Sequence, residues 1–282
     1  MDIISEYSYI NNNIETLMQR VKKAAEKSGR VASDIDIIAV SKTAPIGKIL
    51  EASKTGICKF GENRVQELLE KRKSIAVMGA QTQTDRLDVW TQPDRFHKQA
   101  QADQIKKHII VSKCEADRVR PMLEWHFIGR LQTNKVKLLV GNVELIHSLD
   151  RFELAEEIQK CASARDIVVN TLVQVNISKE ESKAGFFHEN LSDTIYKLSK
   201  LPNIRVKGLM TIAPFVDDPE NNRVYFREIH KVLVDIAKEK MDNVSMDVLS
   251  AGMSNDFEVA IEEGSNVIRV GAAVFAEHSN KR

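Results

Sequence analysis

The alternation of apolar and polar residues reads as strand, helix, strand, helix along the chain, with one long interruption. Ile10, Ile14, Leu17, Val21 and Ala24 recur at helical spacing, which predicts a helix over Ile3–Ser28 that Gly29 ends. A short apolar run follows, Ile37-Ile38-Ala39-Val40, closed by Ser41, Lys42 and Thr43. A run without alternation suits a parallel strand buried on both faces. Pro45 precedes a helix over Ile46–Ser53, Ile57–Phe60 is a second strand, and Gly61-Glu62-Asn63 leads into a helix through Val65, Leu68 and Leu69.

Beyond the interruption the pattern resumes. Strands are predicted at Trp125–Gly129, Leu145–Leu149, Ile167–Ile177, Val206–Ile212, Ser245–Ser250 and Asn266–Val270. Between them lie helices from Leu131–Lys135 through Val140, over Arg151–Ala164 with Asp150 as its cap, and over Leu191–Leu201, Asn222–Lys240 and Asn255–Glu263. A polar loop, Ser178–Gly185, follows the longest strand. About eight strands, nearly all followed by a helix, make a single (β/α)8 TIM barrel the expected α/β fold. A doubly wound sheet is the alternative, which the even alternation disfavours. Residues 1–282 are therefore read as one barrel domain with an extra N-terminal helix.

From about Ser74 to Glu124 the chain turns polar and glutamine-rich. A stretch of this length inside a compact domain is read as an inserted, flexible excursion over residues 75–124, removable from about Gly79 to Lys107. A short helix over Glu115–Glu124 is the one element expected in it, and Pro121 argues against its being unbroken.

Composition narrows the class. With 43% hydrophobic and 29% charged residues, the chain is long enough to bury a sizeable core. A net charge of +1 provides no global field for nucleic acid or an anionic membrane. The start, Met-Asp-Ile-Ile-Ser-Glu, lacks a signal-peptide profile, and no apolar run approaches membrane-spanning length. Cys58, Cys114 and Cys161 show neither zinc nor disulfide spacing, so no metal and a reducing cytoplasm are expected.

Lys42 carries the first chemical suggestion. It stands at the carboxyl end of the first strand, where ligand sites on α/β folds gather. A lysine in a partly dry pocket can attack an aldehyde and form a Schiff base, although a lysine reaching for water is the commoner case. The loops after strands seven and eight, Ser250–Ser254 and Gly271–Ala273, are where barrels often hold phosphate. Gly252 and Gly271 admit backbone N–H groups close to an anion, a helix can start at each place, and Ser254 can add a hydroxyl while capping its helix. Arg269 interrupts a strand that otherwise reads as buried, so it pairs with a core carboxylate or faces a ligand. Amine, phosphate cup and arginine together point to an aldehyde with a phosphate and a heteroaromatic ring, pyridoxal 5′-phosphate (PLP). His126 is read as a hydrogen-bonded barrel histidine rather than a catalytic base.

These residues carry a resemblance. Val40-Ser-Lys-Thr43, Phe60-Gly-Glu-Asn63, Trp125-His-Phe-Ile-Gly129 with Leu131-Gln-Thr-Asn-Lys135, Ser182-Lys183 with Gly185, Gly208-Leu-Met210, Gly252-Met-Ser254 with Asp256-Phe257, and Val267-Ile-Arg-Val-Gly271 resemble the pyridoxal-phosphate homeostasis proteins (the YggS/PROSC family). The likeness spans the chain outside the insert. It implies a barrel of the alanine racemase N-terminal type with PLP as a Schiff base on Lys42. The cofactor-binding set it implies is Lys42, Asn63, Met210, Gly252, Met253, Ser254, Arg269, Gly271 and Ala272. Phosphate contacts would come from Ser254 and the Gly271–Ala272 backbone, with Arg269 near the ring nitrogen.

The resemblance further implies a monomeric carrier or regulator of the free cofactor without robust turnover, meeting amino acids and PLP-dependent apo-enzymes. Three departures from the family pattern stand out: the insert, Ala251 and Ala272 where methionine and threonine are common, and Ala276 in place of a usual glycine. The alternatives are a PLP racemase of low activity and a class I aldolase-type barrel. The first is expected to lack a second base, because no β-domain of the kind that supplies it in the related racemase is expected after the eighth strand. The second leaves Arg269 without a task.

Overall fold

The short apolar runs become the staves of a closed parallel barrel. The computed structural model describes residues 6–81, 123–180 and 183–277. The strands are β1 (Asp36–Val40), β2 (Lys59–Glu62), β3 (Glu124–Phe127), β4 (Leu145–Leu149), β5 (Val169–Val175), β6 (Ile204–Thr211), β7 (Val244–Ser250) and β8 (Val267–Val270). Each pairs in parallel with the next, and β8 returns to β1. The helices are α1 (Tyr9–Lys27), α2 (Ile46–Lys54), α3 (Val65–Gln81), α4 (Val136–Leu139), α5 (Phe152–Ser163), α6 (Leu191–Leu198), α7 (Arg223–Ala237), α8 (Phe257–Glu262) and α9 (Ala272–Phe275). The expected (β/α)8 barrel with an additional N-terminal helix is the fold observed.

Alternation along the buried strands divides the core in two. Residues such as Ile37, Ala39, Ile146, Val173, Leu209, Ile268 and Val270 face the helices in the main hydrophobic layer. Leu145, Leu172 and Met210 form a separate small cluster inside the barrel, packed by Val248. Polar residues share that interior, because register places Gly61, His126 and Leu145 side by side and Ile38 beside Arg269. The helix α1 buries Ile10, Ile14, Leu17, Val21 and Ala24, as its spacing predicts, and packs across α2, α8 and α9. Asn13 Nδ2 donates to the carbonyls of Val274 (3.0 Å) and Ala276 (2.9 Å), tying the first helix to the last turn.

Local details depart from the sequence reading. Asp150 does not cap α5. The capping position is Arg151, and the Asp150 carboxylate accepts from Arg151 Nη1 at 2.5 Å, with Arg130 Nε at 3.6 Å. A cation beside a buried carboxylate outcompetes a neutral backbone N–H for it. The strand predicted over Ile167–Ile177 is shorter, since Ile167 N still bonds back to Ala162 O at the end of α5. The stretch from Leu131 to Val140 holds a 3-10 turn at Thr133–Lys135 and only one turn of α-helix. The helix α3 continues to Gln81, and Glu124 opens β3, so both ends of the polar segment belong to the barrel. The rest of that excursion, and the helix expected over Glu115–Glu124 up to Met122, lie outside the described residues.

Candidate functional site at the carboxyl end of the barrel

Closure of β8 on β1 brings the two ends of the chain's chemistry together. Ala39 pairs with Val270, and a side chain added at Gly271 would meet Val40 at 3.4 Å. Lys42 follows Val40 by two residues, so its turn starts beside the Gly271 loop. The residue is exposed, and Thr43 next to it adopts a left-handed φ of 62°.

The loops after β7 and β8 are stitched by one hydroxyl. Ser254 Oγ accepts from Gly271 N at 3.2 Å and Ala273 N at 3.4 Å. It does not cap α8, whose capping position is Asp256, and here it serves as an acceptor. Gly252 has φ 91°, and a Cβ there would lie 2.7 Å from Ala260 Cβ and 2.8 Å from Phe257 Cα, so the position requires glycine. Its carbonyl accepts from Arg269 N at 3.0 Å, joining the two loops a second time. Asp256 holds the first loop from below, accepting from Met253 N (2.7 Å) and Asn222 Nδ2 (2.9 Å). Two backbone N–H groups thus converge on an oxygen atom, the geometry that suits a phosphate oxygen.

Arg269 lies 5% exposed inside the barrel. Its guanidinium donates to Ser250 Oγ at 2.6 Å and to Thr211 O at 2.9 Å, and no carboxylate bonds to it among the described residues. Burial lowers its pKa to about 10, opposed by the more distant Asp256. It remains a cation at neutral pH.

From Arg269 a polar chain crosses the interior. Ser250 Oγ lies 3.0 Å from His147 Nδ1, and His147 Nε2 lies 2.9 Å from His126 Nδ1. An arginine only donates, so Ser250 accepts from it and can give its own proton to His147 Nδ1. His147 then donates to His126, which leaves a buried Nε2–H on His126 without a partner among the described residues. Burial pushes the pKa of His126 down to about 3, and burial with the neighbouring His126 and Arg269 holds His147 well below its usual range. Both rings are neutral. His126 is a hydrogen-bonded barrel histidine, as its place on a strand suggests.

The remaining expected residues sort by depth. Met210 is buried in the small interior cluster, and Ala272 opens α9 next to Gly271. Met253 is 40% exposed at the rim. Asn63 is exposed and lines a groove of about 560 Å³ with Arg64, Arg130, Lys135 and Arg151, to which Gly252, Ser254 and Gly271 do not contribute. Sequence reading passed over His147 and Lys71, and included Ser250 and Ala273 only as ends of the two phosphate loops. The two histidines sit two residues inward from their strand ends, but only closure of the barrel makes them neighbours. Among the described residues no group of His, Cys, Asp and Glu could hold a metal ion, and no helix is long and apolar enough to cross a membrane.

The residues present fit a ligand with an aldehyde, a basic ring nitrogen and a phosphate: an amine, a cationic donor without a bonded anion among the described residues, and paired backbone N–H groups. Comparison with known proteins agrees. Residues 10–279 match the family model of the alanine racemase N-terminal domain, so barrel and site define a protein of that class. The pyridoxal phosphate homeostasis protein of Aquifex aeolicus (strain VF5) is 39% identical over 264 residues, 94% of this chain and 96% of that protein. The chain belongs to the family of pyridoxal phosphate homeostasis proteins. Among solved structures, an unknown protein from Bifidobacterium adolescentis superposes with a TM-score of 0.78 at 31% identity, covering 98% of this chain and 97% of that one. PipY of Synechococcus elongatus PCC7942 with PLP bound superposes with a TM-score of 0.69 at 25% identity, covering 95% and 100%.

Proposed function

We propose that this protein binds pyridoxal 5′-phosphate as a Schiff base on Lys42 and acts as a carrier or regulator of the free cofactor, without robust catalytic turnover. The observation that carries this reading is Arg269, a buried cation with no bonded carboxylate among the described residues, at the barrel end that also holds Lys42 and the Ser254–Gly271–Ala273 cluster. A buried charge without a counter-ion is costly, and an acceptor supplied by a ligand offsets that cost. The names of the relatives and the PLP-bound state of PipY support the same ligand.

When bound, PLP supplies an aldehyde carbon open to amines and a ring that withdraws electrons from it. The protein's residues set how far that chemistry goes. Ser254 and the N–H groups of Gly271 and Ala273 would hold the phosphate. Arg269 would donate to the ring nitrogen and, being a cation at neutral pH, would give it no proton to keep, which would weaken the ring's electron withdrawal. Ser250 and the neutral His147–His126 pair hold the guanidinium in place. The same reading has the protein act as a cytoplasmic monomer that meets amino acids and PLP-dependent apo-enzymes.

The test is the absorption spectrum of the protein with PLP, before and after borohydride, followed by mass mapping of the modified lysine. A band that borohydride removes and that maps to Lys42 is expected. Lys42→Ala protein that kept the full band would refute the assignment.

A further inference from the structure

Beneath the Lys42 turn lies a buried ion cluster that the site described above does not use. Lys71 on α3 spends its three ammonium protons on Ser41 O (2.7 Å), Glu62 Oε1 (2.7 Å) and Glu67 Oε1 (2.6 Å). The Ser41 hydroxyl also donates to Glu62 Oε1, at 2.6 Å. Glu67 Oε1 accepts from Thr43 N at 2.8 Å. The residues on both sides of Lys42 are therefore tied into one cluster, Ser41 by its carbonyl and hydroxyl and Thr43 by its amide.

Two features set this cluster apart from ordinary packing. Thr43 holds a left-handed φ of 62°, a conformation that is costly for a β-branched residue. Glu62 is 0% exposed, and its Oε2 has no partner among the described residues. Burial raises the pKa of the Glu62 carboxyl, while the bonds from Lys71 and Ser41 pull it back. Burial also raises that of Glu67, but Lys71 and the Thr43 amide outweigh it, so Glu67 sits below its ordinary value. A buried ion pair is seldom the most stable filling of a core, and an apolar set of similar volume often does as well or better. Stability alone is a poor reason for placing lysine and glutamate under a strained turn. Specification of one backbone conformation is a better one.

We propose that Lys71, with Glu62 and Glu67, is a positioning device that fixes the Ser41–Lys42–Thr43 turn so that the Lys42 amine faces a carbonyl carbon held over it. This rests on the reading that Lys42 is the attachment point, and it names residues of α3 and β2 that touch no ligand themselves. Without the cluster, the turn relaxes from its left-handed state and the Lys42 amine spreads over many directions. The phosphate and ring contacts, which lie on β7, β8 and their loops, are untouched.

The experiment compares two ligands that share ring and phosphate. PLP carries the aldehyde, and pyridoxine 5′-phosphate carries an alcohol that no amine can capture. Dissociation constants of both are measured for the parent, Lys71→Met, Glu67→Gln and Lys42→Ala. Lys71→Met is expected to weaken PLP at least about tenfold, the loss of one charge-assisted bond, and to leave pyridoxine 5′-phosphate within about twofold. Glu67→Gln, in which the amide oxygen still accepts from Thr43 N, should fall between parent and Lys71→Met. Equal weakening of both ligands would reduce Lys71 to a general structural role, and an unchanged PLP constant would also overturn the proposal. If Lys71→Met does not fold, the Glu62→Gln/Lys71→Met pair removes the stranded buried charge and takes its place. Lys42→Ala separates the two claims. If it leaves the preference for the aldehyde intact, the attachment reading fails. If it abolishes that preference while Lys71→Met preserves it, only the positioning role fails.

Discussion

Arg269 Nη1 and Ser250 Oγ, on the adjacent strands β8 and β7, are 2.6 Å apart in the barrel interior. The serine hydroxyl is the joint between a cation and a neutral imidazole, since it also meets His147 Nδ1 at 3.0 Å. Ser250→Ala leaves both without their shared partner. A buried donor left unsatisfied costs about 1–3 kcal/mol. The variant is expected to unfold at lower urea concentration with an unchanged denaturant slope, and to bind PLP more weakly because the guanidinium is less fixed. A midpoint equal to the parent's would show that the joint carries no energy.

The two histidines predict an acid limit with a definite sign. His126 stays neutral in the folded protein down to about pH 3, whereas its ordinary value is 6.5. Between those values the unfolded chain binds a proton that the folded one does not, so stability rises with pH there. The contribution is complete above about pH 6.5 and is lost as pH falls toward 3. One such histidine gives a slope of about 1.4 kcal/mol per pH unit. Urea unfolding at several values between about pH 4 and pH 6 should show this slope reduced by about that amount in His126→Gln. An unchanged slope would mean that the ring is protonated inside the barrel.

Ser254 and Gly271 can be weighed against each other. A Cβ at Gly271 would sit 3.4 Å from Val40, an ordinary contact, so Gly271→Val should fold. Its methyl groups would nonetheless stand where a phosphate approaches the backbone. Ser254→Ala removes one charge-assisted bond, worth about 1.5–3 kcal/mol. Titration of ligand-free protein with PLP should show both variants weakened and the valine more so. Parent-like affinity in both would sink the phosphate cup.

Arg269 separates a carrier from an enzyme. A ring nitrogen that receives a hydrogen bond but no proton draws electrons weakly, so the α-proton of a bound amino acid leaves slowly. Single-turnover exchange of the α-protons of L- and D-alanine in heavy water is the measurement. Exchange far slower than about 1 per second is expected, and rates at or above that, typical of dedicated enzymes, would contradict the carrier role.

Lys42 at a strand end, the two loops before Ser254 and after Arg269, and the helical face of α1 were all legible in the residue pattern. Each depends on neighbours within a few positions, where periodicity and burial on both strand faces act directly. Cap assignments were not equally legible. Asp150 and Ser254 both stand where a cap belongs, yet one is taken by Arg151 and the other by the N–H groups of Gly271 and Ala273. A side-chain oxygen goes to the strongest donor within reach, and reach is a property of the folded barrel. The same holds for the polar chain inside it. Ser250 lies 103 residues from His147 and 19 from Arg269 in sequence. No local pattern ties such residues together. Lys71 reads as one more polar residue on a helix, and only the approach of α3 to the end of β1 turns it into the support beneath Lys42. The strands and the place of Lys42 at a strand end follow from short-range chemistry, whereas the polar contacts around them exist only once β8 closes on β1.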